Sequence, residues 1–530
     1  MDRVNKTRMA KAAVIVMSSI VLSRITGFFR ETMLSWKVGL SWVQDAYVAA
    51  FTVPDLMYVL LVGGTISAAL VPFLSGKLER NEEKEGWKAA SIFINVITIG
   101  MILLCALGII FAPKIIPLVA PGFADKNENT RELAVRLSRI LFPSVAFIML
   151  AGICNGVMNT YRKFAAAAYG PSIYNAGCAL SIYLFADTDP ESMVKVSIGV
   201  AVSALVYFII QLAFSKDLFK YYRFSIKLSN EGFRILVKQA VPSLLSSSVT
   251  QLNVIISTAF VSLAAIEGGL AAFRNANTTW QLPYGIFAMG MGTAMLPSLS
   301  SRYAKGDYQD YKNLMMKSLT SVLFIAVPSA AGFIILREPI IRAIFKWGGK
   351  FTEENVPFVA SILALFSVSM ITQSIVTIMN RSFYAKQDTK TPLIIGVGSI
   401  IMNIAFGVIF NIFTNLGPGG MALSFSIIST VNAISLLLIM NKKMCGIHME
   451  RLIEFLRKAI PSTLVMAVIV FAFELLPVTL DTKAAQLMYL MVEILAGAFV
   501  YTAFMTLFKD ENALYFIDTL KQKLKIKHTA

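Results

Sequence analysis

Five ionisable residues interrupt a long apolar stretch near the amino terminus, and four of them are candidates for chemistry. Arg24, Arg30, Glu31 and Asp45 fall within Ser23–Asp45, SRITGFFRETMLSWKVGLSWVQD. The twelve residues before Arg24, from Ala12 to Ser23, carry no charge. At bilayer depth an ionisable side chain costs about 2.5–3.5 kcal/mol on insertion scales, so such residues mark polar cavities or ion pairs. One arginine near a helix end is explained by snorkelling to the headgroups; two in the same segment are explained less well. Arg24 and Arg30 lie six residues apart, about 240° around a helix. They cannot share a narrow stripe, but they can stand on two walls of a cavity or pair with Glu31 or Asp45. A guanidinium grips phosphate with two parallel hydrogen bonds. A cationic pocket of this kind suits an anionic substrate, a phosphate or diphosphate, and an internal arginine–carboxylate pair that only fixes helix packing is the alternative. Arg274, at the start of a later apolar run, is a candidate for the same space. Arg136 and Arg139 sit near the end of another run, and Glu474 and Glu493 lie in the last two.

The elements that must position these residues are membrane helices. Of 530 residues 56% are hydrophobic and 15% charged, and mean hydropathy is +0.67. A soluble chain carries roughly 25% charged residues. Repeated apolar runs of about 20 residues predict an all-α polytopic membrane protein. Their continuity argues against a β-barrel, whose strands alternate. Fourteen spans are expected, from 12–36 and 43–74 through 268–300 to 484–508. The second is interrupted by Pro54 and by Gly63-Gly64, and the eighth carries Pro283 and several glycines. Such breaks are tolerated where backbone is buried in protein or lines a cavity, or as packing kinks.

Lysine and arginine set the orientation. With the amino terminus inside, the inside segments hold 33 of these residues and the outside segments 13. This bias places both termini in the cytoplasm and accounts for most of the net charge of +17 without nucleic acid. An internal repeat recurs at offsets of 221 to 226 residues. Val71-Pro72-Phe73-Leu74-Ser75 is echoed by Leu296-Pro297-Ser298-Leu299-Ser300, and Tyr161-Arg162-Lys163 by Tyr384-Ala385-Lys386. The predicted organisation is a six-helix lobe (1–215), a basic cytoplasmic linker (216–234), a second six-helix lobe (235–440), a trailing helix pair (441–508) and a basic cytoplasmic tail (509–530). Two even-numbered lobes enter the membrane in the same sense, a parallel repeat typical of alternating-access transporters.

Enzyme chemistry finds no support. Gly349-Lys350 is followed by Phe351, so the phosphate-binding loop of ATPases is missing, and no GxSxG or HExxH is present. Asp187-Thr188-Asp189 has the form of a glycosyltransferase metal motif but reads as a polar turn. Cys105, Cys154, Cys178 and Cys445 are scattered, with no disulfide framework or zinc spacing. No cofactor is expected.

SRITGFFRE, DAYVAAFTVPDL, AALVPFLSG and, at 383–392, FYAKQDTKTP resemble the MurJ (MviN) family, and the span count extends the resemblance over nearly the whole chain. That family belongs to the multidrug/oligosaccharidyl-lipid/polysaccharide exporter superfamily. The resemblance implies a flippase that moves lipid II, the undecaprenyl-diphosphate-linked peptidoglycan precursor, between leaflets of the bacterial cell membrane. It implies that Arg24, Arg30 and Glu31 line the central cavity and that Asp45 is the second-span aspartate. Membrane lipids, and other cell-wall synthesis proteins, are the implied partners. The chain departs from the family where Met57-Tyr58-Val59 stands in place of an arginine pair, and where the eighth-span arginine aligns with Thr278 while Arg274 lies one turn earlier. A flippase for another undecaprenyl-linked glycan is therefore the alternative, and a cation-coupled drug or metabolite exporter a more distant one. Sodium and proton both stay open as the coupling ion, and a metal site stays unknown.

Overall fold

The computed structural model describes residues 2–59, 66, 69–123, 128–476 and 482–528. Helices make up nearly all of it. In chain order they are α1 (Asp2–Val38), α2 (Trp42–Tyr58), α3 (Val71–Glu79), α4 (Glu83–Val119), α5 (Glu128–Thr160), α6 (Phe164–Phe185), α7 (Pro190–Ser215), α8 (Glu231–Leu263), α9 (Gly269–Tyr284), α10 (Gly290–Ala304), α11 (Tyr308–Ile335), α12 (Arg337–Phe345), α13 (Asn355–Ala385), α14 (Lys390–Phe413), α15 (Pro418–Lys443), α16 (Met449–Glu474), α17 (Lys483–Leu507) and α18 (Glu511–His528). Among the described residues nine helices are long and apolar enough to cross a membrane. The Gly63-Gly64 interruption lies outside the described residues. The break expected in the eighth span is present: a π-type turn at Gly285–Met289 follows Pro283 and separates α9 from α10. Short α12 falls in a stretch that the sequence presents only as a loop.

Polar caps fix where these helices begin. Asp189 accepts from the Ser192 N–H at the start of α7, Asn230 from Phe233 at α8, Asp307 from Asp310 at α11 and Thr482 from Ala485 at α17. Each satisfies an N–H that has no partner inside its helix.

The chain packs as two compact units. The first holds Met1–Asn275 with Gly348–Phe351 and Asn403–Pro418; the second holds Ala276–Trp347, Thr352–Met402 and Gly419–Ala530. A core within the first unit gathers Leu74, Trp87, Phe93, Phe142 and Leu236 from α3, α4, α5 and α8. The basic segment after α7 is tied to the start of α4: the Tyr222 hydroxyl donates to Asn95 Oδ1 at 2.5 Å, and Asn95 Nδ2 donates to the Ser225 carbonyl at 2.9 Å. The core of the second unit gathers Leu319, Phe383, Met440, Phe455 and Tyr501. Outward faces are apolar, as a lipid solvent requires; Ile394, Ile401, Ile412 and Phe413 of α14 are all exposed.

Candidate functional site

The first unit assembles the candidate site from α1, α2, α6 and α9. Asp45 lies in the first turn of α2 and is buried. Its Oδ1 accepts the Ala271 backbone N–H at 2.9 Å. The carboxylate therefore sits at the amino terminus of α9, where free N–H groups and the helix dipole favour a negative charge. Nearby, Gln44 Nε2 donates to Ser35 Oγ at 2.8 Å and Ser35 Oγ donates to Asn275 Oδ1 at 2.7 Å. This chain of polar bonds ties α1, α2 and the start of α9 together.

One turn beyond Ala271, Arg274 meets Glu31. Arg274 Nε donates to Glu31 Oε2 at 3.0 Å and Nη2 to Oε1 at 2.9 Å, a bidentate pair. Arg30 Nη2 reaches the same Oε1 at 2.5 Å, so two guanidiniums share one carboxylate. Glu31 is only 8% exposed. A charge so deep in an apolar fold persists only when paired, because desolvation costs several kcal/mol. Arg30 Nη1 also donates to Asn175 Oδ1 of α6 at 3.3 Å, and its guanidinium lies 5.9 Å from the centre of the Phe51 ring. Asn175 in turn donates to the Ser23 carbonyl at 3.3 Å, which fixes α6 against α1. Asp55 completes the cluster, 3.9 Å from Arg274 and with a half-exposed side chain.

The structure thus brings Arg30, Glu31 and Arg274 into direct contact and sets Asp45 one turn away. Arg24 is partly exposed on α1, six residues or about 9 Å along the axis from Arg30. Of the two readings of the first-span charges, the internal ion pair is present, and it holds the Arg30 and Arg274 guanidiniums against one carboxylate. Arg136 pairs with Glu191, and Arg139 with the Ile109 carbonyl, on other surfaces of the first unit. In the second unit Glu493 is fully buried beside Glu474, within the α16–α17 hairpin. Asp55, Asn175, Ser35, Gln44 and Asn275 were missed by sequence reasoning. A carboxylate in an apolar run was signal enough for Asp55; the neutral residues gave none, because lone Ser, Asn and Gln are ordinary in membrane helices.

Chemically, the cluster is two guanidiniums sharing one carboxylate. Among the described residues no group of three or more His, Cys, Asp or Glu side chains converges.

The chain is similar to known proteins over most of its length. Residues 35–489 match the family model described as lipid II flippase MurJ. The chain is 30% identical over 422 residues to a probable lipid II flippase MurJ of Rhizobium tropici, covering 78% of this chain and 77% of that protein. It is 28% identical over 438 residues to the lipid II flippase MurJ of Burkholderia cenocepacia, covering 82% and 84%. Among solved structures it is similar to a lipid II flippase MurJ in an inward closed conformation, with a TM-score of 0.78 and 26% identity over 93% of this chain and 98% of that one. An inward-facing MATE-family transporter of the MOP superfamily shares the fold at a TM-score of 0.67 and 17% identity, over 82% of this chain and 98% of that one. The chain is a multi-pass membrane protein and belongs to the MurJ family.

Proposed function

We propose that this protein carries lipid II from the inner to the outer leaflet of the cytoplasmic membrane by alternating access, and that the Arg30–Glu31–Arg274 cluster receives the diphosphate. The observation that carries the site is the shared carboxylate. Two guanidiniums are held within reach of one Glu31 oxygen, so a diphosphate can take both in exchange for Glu31. Arg24, about two helical turns earlier on α1, is the third cation on the route. Asp45 is a positioning residue, because it fixes the turn from which Arg274 projects.

The orientation that goes with this reading has fourteen spans, in two parallel six-helix lobes and a trailing pair, with both termini in the cytoplasm. It makes the membrane potential a driving force. The inside is negative, so an anion moving outward gains about 2.3 kcal/mol per charge per 100 mV, if it crosses the whole field. Return of the empty cationic site inward is favoured by the same field, and no ATP is required.

The test is native mass spectrometry on the purified full chain, offered lipid II against other undecaprenyl-diphosphate glycans, with R24Q/R30Q as the comparison. Preferential lipid II retention in the wild type, lost in the variant, is expected. Equal retention by both proteins would make the first-span arginines structural. Preference for another glycan would shift the assignment to a flippase for that glycan, the reading that the Met57-Tyr58-Val59 departure favours.

A further inference from the structure

Away from this cluster, the far end of α4 carries an arginine-lined pocket that the flippase reading does not use. Pro113 lies inside α4. It has no N–H, so the Ile109 carbonyl one turn earlier lacks its helical donor. Arg139 of α5 supplies one, its Nε donating to Ile109 O at 3.2 Å. That bond holds the guanidinium against α4. Arg131, Val135 and Arg139 are spaced by four residues and so share one face of α5. Arg136 is held by both carboxylate oxygens of Glu191, the second residue of α7. Arg131 has a looser contact, 3.7 Å from Glu128. Between them lies a cavity of about 470 Å³, lined by Pro113, Arg131, Glu132, Val135, Arg136 and Arg139.

Three guanidiniums and the Glu132 carboxylate line this cavity; Glu191 and Glu128 pair with Arg136 and Arg131 at its edge, while Arg139 is held by a carbonyl and, among the described residues, meets no carboxylate there. Just below it on α4, Leu103, Leu107, Ile110 and Phe111 are exposed and apolar. If those side chains face acyl chains, the pocket, which follows them along α4, meets the headgroups. We infer that this pocket binds the phosphate of an anionic lipid headgroup whose acyl chains lie along the exposed face of α4. Arginine suits the task because its fork matches the phosphate oxygens. The inference is independent of which glycan the protein carries. The orientation proposed above only names the leaflet, the outer one.

The experiment uses the full chain in detergent and native mass spectrometry, with phosphatidylglycerol, phosphatidylcholine and inorganic phosphate as separate probes. The wild type is expected to retain phosphatidylglycerol over phosphatidylcholine. R131Q/R139Q should weaken that retention by about tenfold, as the loss of charge-assisted hydrogen bonds implies. R131Q alone, whose side chain has only the loose contact to Glu128, should give a smaller drop with an unchanged melting temperature, which separates lost binding from lost fold. P113A returns an N–H to Ile109, releases Arg139 and should also weaken retention. If inorganic phosphate binds the wild type and displaces the lipid, the pocket takes phosphate itself and the lipid assignment falls. If all the variants retain phosphatidylglycerol as the wild type does, the arginines are structural and the proposal is overturned.

Discussion

Arg274 and Glu31 are 243 residues apart in sequence and are joined by two hydrogen bonds of 3.0 and 2.9 Å. Breaking a buried pair from one side leaves an uncompensated charge and costs about 3–5 kcal/mol. Arg274→Gln leaves Glu31 to Arg30 alone, so its cost should fall at the low end. Glu31→Gln leaves two arginines with Asp55, 3.9 Å from Arg274, as the nearest carboxylate and should cost more. The two changes are not additive: Glu31→Gln/Arg274→Gln should recover at least about 1 kcal/mol relative to the sum of the single variants. Thermal unfolding of the four proteins in one detergent measures this coupling, and additive shifts would show that the contact does not stabilise the fold.

Asp45 offers a separable case, because its side chain bonds to backbone. Asp45→Ala removes the acceptor for the Ala271 N–H and should cost about 0.5–2 kcal/mol, as the loss of a helix cap does. Asparagine keeps an acceptor oxygen and should lose little stability. If positioning of Arg274 is all that Asp45 does, Asp45→Asn should flip lipid in proteoliposomes at a rate close to wild type. Transport lost from a stable Asp45→Asn protein would place the charge itself in the cycle.

The fold was legible because lipid imposes a simple rule: apolar runs of span length become helices. Helix ends were less so. Strand-free loops such as 337–356 hide α12, whose nine residues are too short and too charged for periodicity to reveal. In the site, Arg30, Glu31, Asp45 and Arg274 were legible because charge at bilayer depth is costly. Their pairing was not, since Arg274 and Glu31 are 243 residues apart and only the packing of α9 against α1 brings them together. Asn175 and Ser35 were illegible for the opposite reason: they cost little on any helix, and only the neighbouring helix makes them bonds that matter.

Glu353 lies outside the membrane spans, between α12 and α13. Arg342 Nε donates to its Oε1 at 2.7 Å, Lys346 lies against the other oxygen, and the hydrogen bond from Arg342 holds the carboxyl below the usual glutamate range. A depressed folded-state pKa adds stability above the unfolded value, about 4.3, and that stability is lost as pH falls through the lower folded value. Amide exchange across 337–354, corrected for its intrinsic pH dependence, should therefore be flat above about pH 5 and accelerate below about pH 4. Glu353→Gln should exchange faster at pH 6 and lose the acid-dependent step. A wild-type profile that matches the variant at every pH would remove the ion pair as the cause.

Gly39 and Gly349 test how the loop 348–351 seats on the end of α1. Lys350 N–H donates to the Trp36 carbonyl at 2.9 Å. For the backbones to meet so closely, neither glycine can carry a side chain. A Cβ on Gly349 would lie 2.0 Å from the Trp36 carbonyl oxygen, and one on Gly39 would lie 2.6 Å from the Lys350 carbonyl oxygen. Gly39 also has φ +70°, a left-handed conformation that costs other residues about 1–2 kcal/mol. Gly39→Ala pays both costs and should destabilise by about 2–3 kcal/mol. Gly349→Ala has no positive φ to maintain, so it can shed its clash by lifting the loop off α1. Thermal unfolding should then show a large loss for Gly39→Ala and a smaller one for Gly349→Ala, while amide exchange at Lys350 accelerates in both. Unchanged exchange at Lys350 in Gly349→Ala would mean that the loop does not rest on the Trp36 carbonyl.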